Sequence, residues 1–170
     1  MNPKKAMGQT ASSDLYKMLA ESGYSDKAIQ YYIEKPYMGD LPGADHTSEM
    51  IGTCGDTMKI YLQIDKDKIM DVRYQVLGCP GAVSAAMATV DLVKGNSIHY
   101  ARSINDGDVF KLLGDIPVKK HHCIQLAVKT LNKALDEFQT GDVGEIGGID
   151  ELVCQSNCPD QDNCCKKTTP

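Results

Sequence analysis

The chain has 170 residues, enough for one domain of ordinary size with a core of its own. Its formal net charge of −5 gives no electrostatic reason to expect nucleic acid or an anionic membrane as partner. No apolar run approaches the ~20 residues of a membrane span, and Met1-Asn2-Pro3-Lys4-Lys5 lacks the apolar stretch of a secretory signal, so a cytoplasmic setting is expected.

Residues 1–11 are polar and aperiodic and read as a mobile end. Ser12-Ser13-Asp14 before Leu15, Met18 and Leu19 predicts a short capped helix, stopped by Gly23. Ser25 caps a second helix, with Ala28, Ile29, Tyr32 and Ile33 as its apolar side, and Pro36 ends it. Loop follows to Gly43, and residues 46–53 predict an edge strand. Met58, Ile60, Leu62 and Ile64 alternate with polar residues, as do Met70, Val72, Tyr74 and Val76 after the turn Asp65-Lys66-Asp67-Lys68. That pattern is an antiparallel hairpin whose apolar face needs a cover.

Helical segments supply the cover. Residues 80–93 open with proline at the first helical position and carry Val83, Ala86, Met87, Val90 and Val93. Shorter helices are expected near 97–103 and 106–113. A long one spans about 118–138, with Ile124, Ala127, Val128, Leu131, Leu135 and Phe138 at the 3.6 period. Strands followed by helices predict an α+β fold, helices stacked on one face of a small antiparallel sheet. Residues 141–148 are Gly-rich and resemble a linker.

Seven cysteines is an odd number, which in a reducing compartment points to metal-binding or reactive thiols rather than a disulfide framework. Cys54, Cys79 and Cys123 are spread through the body, whereas Cys154, Cys158, Cys164 and Cys165 crowd one polar tail. Cys54 and Asp56 share a glycine-bracketed turn, and glycine permits the close backbone approach that aims both side chains at one point. Cys79 stands at a helix start, where free N–H groups favour a thiolate. His122-Cys123 follows Lys119-Lys120-His121, whose positive charge acts the same way. All three thiols are therefore expected to be activated, and sheet ends and helix starts can converge on one rim. Three thiolates with a carboxylate and an imidazole suit zinc or iron–sulfur, and the harder carboxylate suits a site that lets its metal go.

Gly52-Thr53-Cys54-Gly55-Asp56-Thr57-Met58, Gly78-Cys79-Pro80-Gly81-Ala82 and Lys120-His121-His122-Cys123 resemble the three ligand motifs of the IscU/NifU N-terminal family. The resemblance covers roughly residues 24–138 and divides the chain into an N-terminal extension (1–22), a scaffold domain (23–140) and a linker with a Cys-rich tail (141–170). It implies three antiparallel strands with helices on one face. The implied function is a scaffold, not an enzyme, on which a transient [2Fe–2S] cluster is assembled from iron and delivered to apo iron–sulfur proteins. Cys54, Cys79 and Cys123 would be its thiolate ligands, with Asp56 or His122 completing or modulating the site. Sulfur would come from a cysteine desulfurase as a persulfide, with Cys123 the candidate acceptor, and zinc would compete for the same donors. The sequence leaves open whether copies of the chain associate.

Two departures matter. Family members served by a dedicated Hsp70-type chaperone carry Leu-Pro-Pro-Val-Lys before the His-Cys pair. Here Ile116-Pro117-Val118-Lys119-Lys120 keeps one proline and the lysine, which argues against that dependence. The zinc-bound sulfur acceptors similar to SufU have an insertion before the third cysteine. Only 43 residues separate Cys79 from Cys123 here, which favours the scaffold over the sulfur relay that stimulates a desulfurase. A Cys/His hydrolase is a third reading. Adjacent helical residues point ~100° apart, so His122 would have to serve Cys54 or Cys79. The tail cysteines fit no ferredoxin spacing, and a second metal site or a redox relay there is an expectation in its own right.

Overall fold

The computed structural model describes residues 7–141, with side chains from Ser13 onward. Helix α1 spans Met7–Glu21 and begins five residues before the expected cap at Ser12, so residues 7–11 are helical. It presents Leu19 and Leu15 to the core and leaves Met18 exposed. Helix α2, Asp26–Glu34, has Ser25 as its cap, the Oγ accepting from the Ala28 N–H at 3.1 Å. Its inner side is Ala28, Ile29 and Tyr31, while Ile33, expected inward, is exposed. The Ser25 N–H also donates to the Asp115 carbonyl at 2.7 Å, which ties α2 to the chain ahead of the last helix.

Three strands follow: β1 His46–Ile51, β2 Thr57–Asp65 and β3 Lys68–Leu77, antiparallel in the order β1-β2-β3. Met58, Ile60 and Leu62 of β2 point inward with full burial, as alternation requires. On β3 the phase changes. Leu62 pairs with Val72, Gln63 with Asp71, and then Ile64 with Ile69, so Met70 is an extra residue facing no partner. This bulge turns Ile69 into the core and Met70 outward, reversing what alternation alone predicts at that end.

Helix α3, Pro80–Val93, is buried on nearly every side. Its alanines let it pack against β3 on one side and α2 and α5 on others. Helices α4, Ile98–Ser103, and α5, Asp106–Leu113, are short and capped by Ser97 and Asn105; the latter forms a reciprocal capping box with Asp108. A single 3-10 turn, Val118–Lys120, leads into α6, His121–Thr140, which lies over β1 and β2. The buried Tyr74 hydroxyl donates to the Ala127 carbonyl at 3.0 Å and locks sheet to helix. The helices thus cover one sheet face, as an α+β arrangement requires. Among the described residues, no helix is long and apolar enough to cross a membrane. The first six residues, the Gly-rich stretch beyond Gly141 and the cysteines at 154, 158, 164 and 165 lie outside the described residues.

Candidate metal centre

Three chain reversals deliver the predicted residues to one end of the sheet. The β1–β2 turn closes through Gly55 N–H to the Gly52 carbonyl at 2.9 Å and Gly52 N–H to the Asp56 carbonyl at 2.8 Å. Gly55 has φ +84°, the left-handed region that glycine enters freely, and this turns the chain so that Cys54 stands exposed beside Asp56. The end of β3 brings up Cys79 as the N-cap of α3, in extended conformation (φ −76°, ψ 166°). The first turn of α6 brings His122 and Cys123, the latter fully buried.

The atoms meet. Cys79 Sγ lies 3.5 Å from Cys123 Sγ, and Cys123 Sγ lies 3.7 Å from Asp56 Oδ2 and 3.5 Å from His122 Nε2. Two overlapping groups have their ligand atoms within 4.8 Å of one another: Cys54, Asp56 and His122, and Asp56, Cys79 and Cys123. Asp56 belongs to both. Gly78 makes room for it, since a Cβ there would come within 2.7 Å of the Asp56 carboxyl. Three sulfurs, a carboxylate and an imidazole, open to solvent through Cys54, are a donor set for a thiophilic metal in an unsealed site.

The electrostatics split the thiols. The Cys123 thiol hydrogen-bonds to Cys79 and, with the Lys120 ammonium beside it, draws the Cys79 thiol far below its ordinary value, against the effect of burial and of Asp56. The same bond, with burial and the charges of Cys79, Asp56 and Cys54, pushes Cys123 up. The expectation that all three thiols are activated is therefore corrected at Cys123. Two thiolates 3.5 Å apart repel, so the pair favours sharing one proton, and the deeper burial of Cys123 favours it there.

A second correction concerns His122. Its ring nitrogen does reach Cys123, because the imidazole is long enough to fold back over the neighbouring position. The hydrogen bond with Cys79, burial and the neighbouring negative charge that push up the Cys123 thiol work against this pair as a Cys/His nucleophile.

Tyr24 is a participant that sequence reasoning missed. It is 8% exposed and stands over the start of α3, where a Cβ on Gly81 would lie 3.4 Å from its hydroxyl and 3.1 Å from Lys120 Cβ. Burial and the Cys79 charge raise its pKa. No local pattern announces a tyrosine 55 positions before the cysteine it faces.

The NifU-like N terminal domain family matches residues 23–143. The chain is 32% identical over 131 residues to the iron-sulfur cluster assembly scaffold protein IscU 1 of Archaeoglobus fulgidus, covering 76% of this chain and 84% of that one. It is 30% identical over 122 residues to the iron-sulfur cluster assembly scaffold protein IscU of Escherichia coli K12, covering 69% and 94%. The crystal structure of a NifU-like protein (N-terminal) from Brucella abortus superposes with a TM-score of 0.56 over 68% of this chain and 94% of that one. At 15% identity this is a likeness of fold.

Proposed function

The chain belongs to the NifU-like N-terminal domain family, and from that premise we propose that it is a scaffold on which an iron–sulfur cluster is assembled and then released. The observation that carries the reading is the pair of overlapping ligand groups sharing Asp56. The cluster is the cargo, in [2Fe–2S] form, held through Cys54, Cys79 and Cys123. Asp56 or His122 completes the set, and zinc is a competitor for the same donors. The chain itself contributes three things. Cys79 offers a thiolate without waiting for metal, Cys123 gives up its proton on binding, and Asp56 supplies a hard, exchangeable donor.

Sulfur arrives from a cysteine desulfurase as a persulfide. The basic run Lys119-Lys120-His121 makes Cys123 the candidate acceptor; Cys123 is fully buried against Cys79, while Cys54 is exposed. Cys54, the exposed thiol, is a second candidate for the acceptor beside Cys123. Ile51, Leu77 and Val118, at 68%, 78% and 80% exposure, stand next to the three motifs in sequence and give a partner an apolar surface to grip. Acceptor apo-proteins would use the same open side.

Anaerobic reconstitution of the full chain with ferrous iron, a desulfurase and cysteine tests the reading. Absorption and Mössbauer spectra of a [2Fe–2S] cluster, followed by transfer to an apo-ferredoxin, are expected. Tightly held zinc with a stimulated desulfurase and no cluster would instead make the protein a sulfur relay.

A further inference from the structure

A scaffold that releases its cargo returns each time to free thiols, and free thiols are open to oxidants. Two of those in the site are already in contact. Cys79 Sγ and Cys123 Sγ lie 3.5 Å apart, and a disulfide needs about 2 Å, a small closure for two side chains. We propose that Cys79 and Cys123 form a reversible disulfide with peroxide as oxidant, a latch that shuts the emptied site against metal. The inference rests on the scaffold reading for its role, whereas the bond itself depends only on the two thiols and their neighbours.

The surroundings give the two sulfurs different parts. Cys79 is half-buried and is the N-cap of α3, where the Ala82 N–H donates to its sulfur and the Lys120 ammonium stands alongside. Both favour the thiolate, the form that attacks peroxide. Cys123 is fully buried, so it is shielded from oxidants in solvent and meets its neighbours instead. These are Cys79, Asp56 Oδ2 at 3.7 Å and His122 Nε2 at 3.5 Å. Cys123 is thus placed to resolve an oxidised Cys79, with a carboxylate beside it to take its proton. Cys54, on the β1–β2 turn, belongs to the other group of ligand atoms, with Asp56 and His122, and stays outside the pair.

The chemistry balances. The Cys79 thiolate attacks one peroxide oxygen, the O–O bond breaks, and the departing hydroxide takes a proton from solvent to become water. Cys79 is then a sulfenic acid, oxidised by two electrons. The Cys123 sulfur attacks the Cys79 sulfur, the S–O bond breaks, and the Cys123 proton passes by way of Asp56 to the second hydroxide. One peroxide has become two waters and two thiols one disulfide. A dithiol reductant reopens the bond. Closure removes two of the three thiolates of the ligand set, and a metal that holds both sulfurs leaves neither free to attack, so latch and cargo exclude each other.

The test treats the reduced, metal-free full chain with equimolar hydrogen peroxide under anaerobic conditions and maps its thiols by peptide mass. The chain should lose two of its seven thiols, with Cys79 linked to Cys123 and Cys54 still open to alkylation. Zinc uptake should be lost and return with dithiothreitol, and zinc loaded beforehand should slow the oxidation by about tenfold or more. Cys123→Ser has no resolving thiol, so Cys79 should be trapped by dimedone as the sulfenic acid and go on to the sulfinic acid. Three results would each overturn the inference: a wild-type Cys79 carried to sulfinic acid without a link, a dominant link to Cys54 or to a cysteine beyond Gly141, or equal oxidation rates with and without zinc. If the disulfide forms but the reduced chain builds no cluster, the scaffold reading fails and the latch loses its role. A cluster without a disulfide sinks the latch alone.

Discussion

Helices α3 and α6 each begin beside a cysteine, yet the two thiols behave in opposite ways. Cys79 precedes α3 as its N-cap, half-buried, with Lys120 alongside. Cys123 is the third residue of α6, fully enclosed, and faces Cys79 and Asp56. The dipole of a helix start favours a thiolate at both. The hydrogen bond with Cys79, burial and the neighbouring negative charge outweigh it at Cys123, whose thiol is pushed up while that of Cys79 is drawn down. Under the scaffold reading, Cys79 would meet the metal as the thiolate and Cys123 would give up its proton on binding.

The largest break in this arrangement is Cys79→Ser. Losing a ligand should cost more than the ~10–100-fold typical of losing an outer-shell partner, so cluster occupancy after reconstitution should collapse. Full occupancy in that variant would mean that the ligand set has been misassigned. Next comes Asp56→Ala, which removes the donor shared by both groups. It should leave a cluster that forms but transfers to apo-ferredoxin about tenfold more slowly; faster loss than wild type would contradict the role of Asp56 as exchangeable donor. Gly78→Ala is the gentler form of the same change. A Cβ at Gly78 meets Asp56 Oδ1 at 2.7 Å and Asp56 Cβ at 2.9 Å, so the carboxylate must swing and the start of β2 must give. Urea unfolding should show a loss of ~1–3 kcal/mol, with cluster release moving toward that of Asp56→Ala. Wild-type release at wild-type stability would show that the packing against Gly78 places nothing.

Much of this was legible in the sequence, for identifiable reasons. The alternation of Met58, Ile60 and Leu62 and the period of Ile124, Leu131 and Leu135 are local signals of burial, and the structure places these residues in the core. The three motifs sit at turns and helix starts, and the resemblance supplied their convergence. What was hidden depends on pairs distant in sequence. Met70 and Ile69 exchange places because a bulge shifts the register against β2. Tyr24 reaches the start of α3 only through the tertiary fold, and Leu19 joins the core although α1 precedes the matched family region. The upward push on the Cys123 thiol was hidden because Lys119-Lys120-His121 is visible in sequence, whereas Cys79 at 3.5 Å is not.

The smallest effect isolates what selects Cys79 over Cys123. The negative charge of Cys79 raises the Lys120 pKa, the reciprocal of the help that Lys120 gives the thiolate. Lys120 is partly exposed, so solvent screens the attraction, and an exposed ion pair contributes ~0.2–1 kcal/mol, equivalent to at most ~5-fold in an equilibrium. The sign follows from the charge. Removing a cation beside a thiolate raises the thiol pKa, so less thiolate is present at any pH below it. In metal-free protein, the rate of Cys79 alkylation by iodoacetamide against pH should therefore rise at higher pH in Lys120→Met than in wild type, with a few-fold lower rate near neutrality. Lys119→Met, whose side chain is exposed and absent from the causes acting on Cys79, is the control and should leave the profile in place. If both lysine variants keep the wild-type profile, the hydrogen bonds from Cys123 and the Ala82 N–H set the Cys79 thiolate without help from the rim charges. In that case Cys123→Ser should move the profile further than any change of charge at the rim.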